Sequence, residues 1–352
     1  VLVAFLVHCT KTPAVSLEPP TPPGECILLR DNASGVVAMD VGASIELGNG
    51  ASLFIFGDTF FGNWNHDGSR GVSGAVHSSV AVVNDTEVGT CFRGTTFVSD
   101  AGGIEQILDP TQDQSWPLGP MLLDGGSLAL LYTWIRSDSS AGLGFDTLGN
   151  GIVTGSVGGP IPVDVVSLSA PPDQAMPAAW LIVDGYAYLY RCGSQLDAGW
   201  DPCIVGRAPL SGLSSLSTYR YFVVDAGYVG SYTQANVVVQ GAPAFSVTYN
   251  AYLHGFLELY VEPFSPWVSV RKAAAPEGPF SDKVNIWPCS LPADDSRSYC
   301  YAAFEHPQLD VAQGRRVAFS YSTNTTDFGS MLRHPNLGWP RLATVDLADA
   351  GL

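Results

Sequence analysis

The sequence predicts an all-β chain, and within that class a β-propeller, on three observations. Thirty-eight glycines and 25 prolines are scattered among runs rich in Val, Ser, Thr and aromatic residues, the composition of many short strands joined by tight turns. Strand-like runs recur roughly every 50–65 residues, giving about five or six blade-sized pieces, more strands than one two-sheet sandwich needs. No helical pattern of useful length interrupts them, since Ala273–Ala275 soon meets Pro276.

Charge narrows the partners. Thirty-three acidic residues against 16 basic ones leave −17, which repels phosphate backbones and anionic headgroups, so nucleic acid is excluded. The chain has no Walker loop, Cys-x-x-Cys pair, paired metal-ligating histidines or Gly-x-Ser-x-Gly elbow. Neither a cofactor nor a metal is expected, and any chemistry falls to ordinary side chains.

Taken in order, the chain opens with Val1-Leu2-Val3-Ala4-Phe5-Leu6-Val7, far short of the ~20 apolar residues a membrane helix needs. Residues 1–9 read as the end of a signal peptide. Leu6-Val7-His8-Cys9 resembles a bacterial lipobox, with His8 where that pattern wants a small residue. Export is expected, with a lipid anchor at Cys9. Residues 10–25 carry five prolines and read as an extended tether. Residues 26–352, without a shift in composition, read as one propeller domain, expected to be monomeric.

Six further cysteines support export. Cys192 and Cys203 are 11 apart, as are Cys289 and Cys300, separations suited to stapling the base of a loop. Cys26 and Cys91 would then tie the start of the domain to its first sheet. Other connectivities stay open, and any of them implies an oxidising compartment.

Strand runs follow at residues 36–47, 52–56, 76–83, 121–134, 180–190, 221–224, 237–239, 256–261 and 317–321. Turns such as Asp124-Gly125-Gly126 and Asp184-Gly185 punctuate them. The first two runs flank Gly48-Asn49-Gly50, a hairpin signal. Centred on Asn49, the register pairs Ile45 with Leu53 and Asp40 with Asp58, unless the three-residue loop adds a bulge. Two carboxylates would then stand on one face, with Cβ atoms roughly 4.5–5.5 Å apart. Such a pair is unfavourable for stability and useful for chemistry, because one carboxyl holds its proton while the other stays ionised. Retaining glycosidases place their two carboxyls about 5–5.5 Å apart; inverting ones use a wider gap.

The sequence Phe56-Gly57-Asp58-Thr59-Phe60, preceded by Asp40-Val41-Gly42, resembles the opening blade of five-bladed propeller glycosidases. More narrowly it resembles the endo-D-arabinanases of glycoside hydrolase family 183. Trp116-Pro117 and the closing segment Glu305-His306-Pro307 with Val317-Ala318-Phe319-Ser320-Tyr321-Ser322 and Asn324 extend the likeness. The resemblance implies five blades, catalytic carboxylates at Asp40 and Asp58 with their roles undivided, and an arabinan substrate of mycobacterial cell-wall type.

Other residues are candidates for binding sugar. Trp64, Asn65, His66 and Arg70 lie in a run beyond Asp58 that reads as a loop lining the cleft. His77 begins the next strand run, and Trp116 and His254 offer further sugar contacts. Glu258 and Glu262 alternate onto one strand face, so Glu258 is the third carboxylate an inverting mechanism would need. His306 sits where the ring is expected to close. Against the hydrolase stands a carbohydrate-binding propeller without activity.

Overall fold

The computed structural model describes residues 24–48, 50–100, 103–104, 114–123, 127–137, 145–156, 164–166, 178–193 and 201–352. The expected signal-peptide remnant with Cys9, nearly all of the expected tether, and the expected turn residues Asn49 and 124–126 lie outside them. Among the described residues, no helix is long and apolar enough to cross a membrane.

The fold is a five-bladed β-propeller. After β1 (Glu25–Ile27), the first blade comprises β2 (Val36–Gly48), β3 (Ala51–Trp64) and a third strand in two pieces, β4 (Arg70–Val76) and β5 (Ser79–Asn84). A two-residue ladder, β6 (Ser99–Asp100) with β7 (Gly103–Ile104), follows it. The second blade is β8 (Gln114–Leu122), β9 (Ser127–Ser137), β10 (Phe145–Ser156) and β11 (Asp164–Val166). The third is β12 (Ala179–Val183), β13 (Tyr186–Cys192) and β14 (Asp201–Pro209). Its outer edge is shared by the ribbon of β15 (Arg220–Val223) and β16 (Gly227–Val229) and by β17 (Val237–Gly241). The fourth is β18 (Ser246–Asn250), β19 (Gly255–Val261), β20 (Trp267–Ala273) and β21 (Val284–Pro288).

The fifth blade joins both ends of the described chain. Strands β22 (Ser298–Glu305), β23 (Arg316–Thr325) and β24 (Trp339–Asp346) are completed by β1, with Cys26 opposite Leu342. Closing a ring in this way leaves only short, protected edges. The innermost strands β2, β8, β12, β18 and β22 meet around the axis. Strand β1 begins at Glu25, one residue inside the expected tether.

Burial follows from this architecture. Each blade is sandwiched between two others, so central strands such as β3 and β19 are buried on both faces rather than alternating. In Leu53-Phe54-Ile55-Phe56, Leu53 and Ile55 pack toward β9 of the second blade, while Phe54 and Phe56 pack toward β24 of the fifth. Five main clusters of buried side chains fill the five blade interfaces.

All three expected cystine pairs form: Cys26–Cys91, Cys192–Cys203 and Cys289–Cys300. They fit an extracellular, oxidising setting. Two expectations need correction. Strand β3 continues to Trp64, so much of the expected loop is hairpin instead. A short helix, α1 (Phe328–Arg333), is present where none was expected, capped by Asp327 accepting from the Gly329 N–H. With one turn and a half of chain, it carries too little periodicity to be seen in a sequence.

Candidate active site

The hairpin register centred on Asn49 holds from Ile45–Leu53 to Ala43–Ile55, then breaks where the two aspartates lie. Val41 pairs with Phe56 and Met39 with Thr59, so Asp40 faces two residues, Gly57 and Asp58, across a bulge. The third strand is interrupted at the same level, between Val76 opposite Thr59 and Ser79 opposite Phe56. Asp40, Asp58 and His77 thus share one line across the blade, where bulges free side chains from the ladder.

Strain marks the spot. Val41 has φ +71° and Gly42 φ +100°, a left-handed backbone that is costly for a β-branched residue. Two serines of the fifth blade clamp it. The Ser322 hydroxyl accepts from the Val41 N–H at 2.9 Å and lies 3.1 Å from the Val41 carbonyl, and Ser320 donates to the Gly42 carbonyl. Gly57 is required by space, because a Cβ there would stand 2.4 Å from Asp40 Oδ1. Thr59 turns inward, its hydroxyl donating to the Gly57 carbonyl and lying 2.7 Å from Ser79 Oγ.

Each aspartate is braced from a different neighbouring blade. Tyr301 of β22 donates its hydroxyl to Asp40 Oδ2 at 2.6 Å. Asp58 Oδ1 accepts from Trp116 Nε1 of β8 at 3.0 Å and lies 2.8 Å from His77 Nδ1. Asp58 and His77 each keep 32% of their side-chain surface exposed. Asp40 Oδ1, by contrast, is closed off over Gly57 and makes no hydrogen bond of normal geometry.

The electrostatics differ accordingly. Burial, and after it the charge of Asp58, push the Asp40 pKa from 3.8 up to about 7, with the Tyr301 hydroxyl and the Asp58 backbone N–H opposing the rise. The hydrogen bond to Asp58 raises the pKa of His77, against a smaller effect of burial. A folded-state pKa above the unfolded one makes this group's contribution to stability complete below pH ~4 and lost as pH climbs toward about 7. Asp40→Asn is therefore expected to raise the melting temperature at pH 8 and to change it little at pH 4. Equal changes at both pH values, in a thermal scan, would contradict this account.

Hydrogen bonds between inner strands fix which end of the channel this is. Tyr301 meets Asp40, and further along both strands His306 meets Ser44. In the fourth blade Thr248 donates to Glu305, and Asn250 to the Gly314 carbonyl. These inner strands run in parallel, with Asp40 in the first half of β2.

Of the other predicted residues, His77 and Trp116 join the aspartates. His254 does not: it is exposed in the turn after Asn250, at the opposite end. Trp64, Asn65 and His66 sit at the tip of the β3–β4 hairpin, six or more residues and ~20 Å along the strand from Asp58. Arg70 is not a sugar contact. It is 3% exposed, and its guanidinium donates to the carbonyls of Met331, Pro335 and Leu337 and lies 5.4 Å from the Trp64 ring centre. Arg70 therefore seats the hairpin on α1 and the segment that follows it.

Glu258 also needs correction. It lies on the same face of β19 as Phe256 and Tyr260, inside the interface of the third and fourth blades. Its side chain is 0% exposed, Arg271 Nε is 3.6 Å away, and neither carboxyl oxygen makes a hydrogen bond. Burial holds its pKa well above the ordinary range. His306 is likewise walled in, its ring 5.0 Å from that of Phe54, and burial lowers its pKa to about 3. Its Nδ1 lies 2.7 Å from Ser44 Oγ. Sequence reasoning missed Tyr301. It shares a strand face with Tyr299, and nothing in either residue's neighbourhood points to Asp40, 261 positions away.

The molecule is thus a five-bladed propeller whose first blade carries a pair of carboxyls across the bulge between its two innermost strands. The chain belongs to the family described as Domain of unknown function (DUF5005), whose model matches residues 28–338. A search of curated proteins gives no match. Among solved structures it is similar to a "putative hydrolase" from Bacteroides ovatus ATCC 8483, with TM-score 0.67 and 16% identity over 91% of this chain and 87% of that one. It is also similar to the GH43_1 enzyme from Xanthomonas citri complexed with xylose, with TM-score 0.50 and 12% identity over 94% and 90% of the two chains. At these identities the likeness is one of fold.

Proposed function

We propose that the chain is a glycoside hydrolase that cleaves internal α-D-arabinofuranosidic linkages of an arabinan by a retaining mechanism. One observation carries the proposal: a carboxyl that holds its proton near neutrality, Asp40, stands across a bulge from a part-exposed carboxylate, Asp58. A carboxyl of raised proton affinity beside an accessible second one is what acid-assisted displacement needs. The "putative hydrolase" from Bacteroides ovatus and the xylose-bound enzyme share the fold and lend the reading support. The arabinan substrate rests on the likeness of Asp40-Val41-Gly42 and Phe56-Gly57-Asp58-Thr59-Phe60 to the endo-D-arabinanases.

In this reading Asp58 attacks the anomeric carbon as Asp40 passes its proton to the departing glycosidic oxygen. The carbon–oxygen bond breaks, and a glycosyl ester forms on Asp58. Asp40, now ionised, takes a proton from water, which opens the ester and restores both groups. Trp116 and His77 hold Asp58 Oδ1, so Oδ2 is the oxygen placed for attack. The inverting alternative loses its third carboxylate, because Glu258 is sealed between blades.

The test is incubation with D-arabinan, with NMR reading the anomer first formed. Short oligosaccharides of retained configuration are expected, and Asp40→Asn is expected to abolish them. Products of inverted configuration would overturn the retaining pair. Products from xylan alone would overturn the arabinan assignment, and no product from any glycan would favour a binding propeller.

A further inference from the structure

The hydrogen bonds behind Asp40 run in one direction. The Thr325 N–H donates to Asn324 Oδ1 at 2.8 Å, which orients that amide and leaves Asn324 Nδ2 to donate to Tyr301 Oη at 3.4 Å. With its acceptor side facing a donor, the Tyr301 hydroxyl points its own proton at Asp40 Oδ2. Oδ1 is closed off over Gly57, so Oδ2 is the oxygen of Asp40 able to exchange a proton with a bound substrate.

We propose that Tyr301 is a positioning residue of the active site: it holds Asp40 Oδ2 in place for proton transfer, and Asn324 and the Thr325 N–H fix the direction of its donation. The proposal rests on the reading of Asp40 as the proton donor. The titratable and charged groups around Asp40 are Asp58 on β3, Tyr301 and Tyr299 on β22, and, through Asp58, His77 at the β4–β5 break. Asp58 and burial favour the protonated form of Asp40, and the Tyr301 hydroxyl opposes them. Tyr301 thereby keeps Asp40 able both to give up its proton and to recover it within one catalytic cycle.

Tyr301→Phe removes the hydroxyl and keeps the ring that packs 5.4 Å from Tyr299. Losing a donor to the carboxylate form raises the pKa of Asp40. The basic limb of the kcat/KM profile is expected to move up by ~1–2 pH units, with little change in melting temperature at pH 4, where Asp40 is protonated, and a lower one at pH 8. Asn324→Ala is expected to move the limb the same way by less, because Tyr301 keeps its hydroxyl but loses its orientation. A carbon-13 NMR titration of the Asp40 carboxyl in the substrate-free protein provides a readout independent of turnover, and it should move by the same amount. A limb and a carboxyl titration that stay at their wild-type positions in Tyr301→Phe would overturn the proposal. A titration that moves in a protein that cleaves no glycan would uphold the Tyr301–Asp40 coupling and overturn the hydrolase reading instead.

Discussion

Asp58→Asn is expected to lower kcat/KM on arabinan by ~10³-fold or more while the protein stays folded. The amide has the same shape, and its oxygen can still accept from Trp116 Nε1, so the bulge opposite Asp40 has little reason to move. Because the side chain is 32% exposed, the exchange buries no new polar group. Only the anionic oxygen is lost, and with it the means of forming a glycosyl ester. His77 loses its anionic partner as well, so its pKa should fall toward the ordinary imidazole value, visible in a proton NMR titration. Activity within tenfold of wild type would remove Asp58 from the chemistry.

The second large effect concerns the closure of the ring. Glu25 lies on a strand of only three residues, yet its carboxylate joins two blades. Oε2 accepts from Trp287 Nε1 of β21 at 2.7 Å and from the Tyr321 hydroxyl of β23 at 2.6 Å. Oε1 accepts from Arg341 of β24 at 3.0 Å, and the Glu25 and Arg341 side chains are 0% and 5% exposed. Glu25→Ala leaves a buried guanidinium, an indole N–H and a phenol short of an acceptor. Breaking a buried pair from one side costs ~3–5 kcal/mol, and denaturant unfolding should read a loss of that order. The Cys26–Cys91 bond still tethers β1, so the loss reports on the carboxylate rather than on release of the strand. A loss below ~1 kcal/mol would mean that β1 is held by its backbone ladder alone.

How much of this was legible beforehand differs between fold and site. The hairpin of β2 and β3 was, because Gly48-Asn49-Gly50 between apolar runs fixes both turn and register as far as Ala43–Ile55. The 11-residue spacings of Cys192/Cys203 and Cys289/Cys300 suggested the cystine pairing that forms, but other connectivities stayed open until the structure chose among them. The bulge at Asp40 was not legible, since it needs Val41 held in a left-handed backbone by Ser320 and Ser322 from a strand some 280 positions later. Alternation misled for Glu258, because β19 is buried along its whole length and has no solvent face to offer an acidic residue. Residue type misled for Arg70: an arginine beside a tryptophan suits a sugar site and a buried carbonyl cluster equally well, and only the packing of the β3–β4 hairpin chooses between them.

Local sequence alone determined that this protein is all-β, disulfide-bonded and strongly acidic, and that Asp40 and Asp58 fall on adjacent strands. Those properties depend on composition, turn chemistry and strand period, which act over a few residues. The tertiary structure decided that burial raises the proton affinity of Asp40, which of its oxygens is closed off, and that Tyr301, Trp116 and His77 surround the pair. Burial and hydrogen bonding set proton affinity, and here both come from three different blades, which only the closed ring brings together.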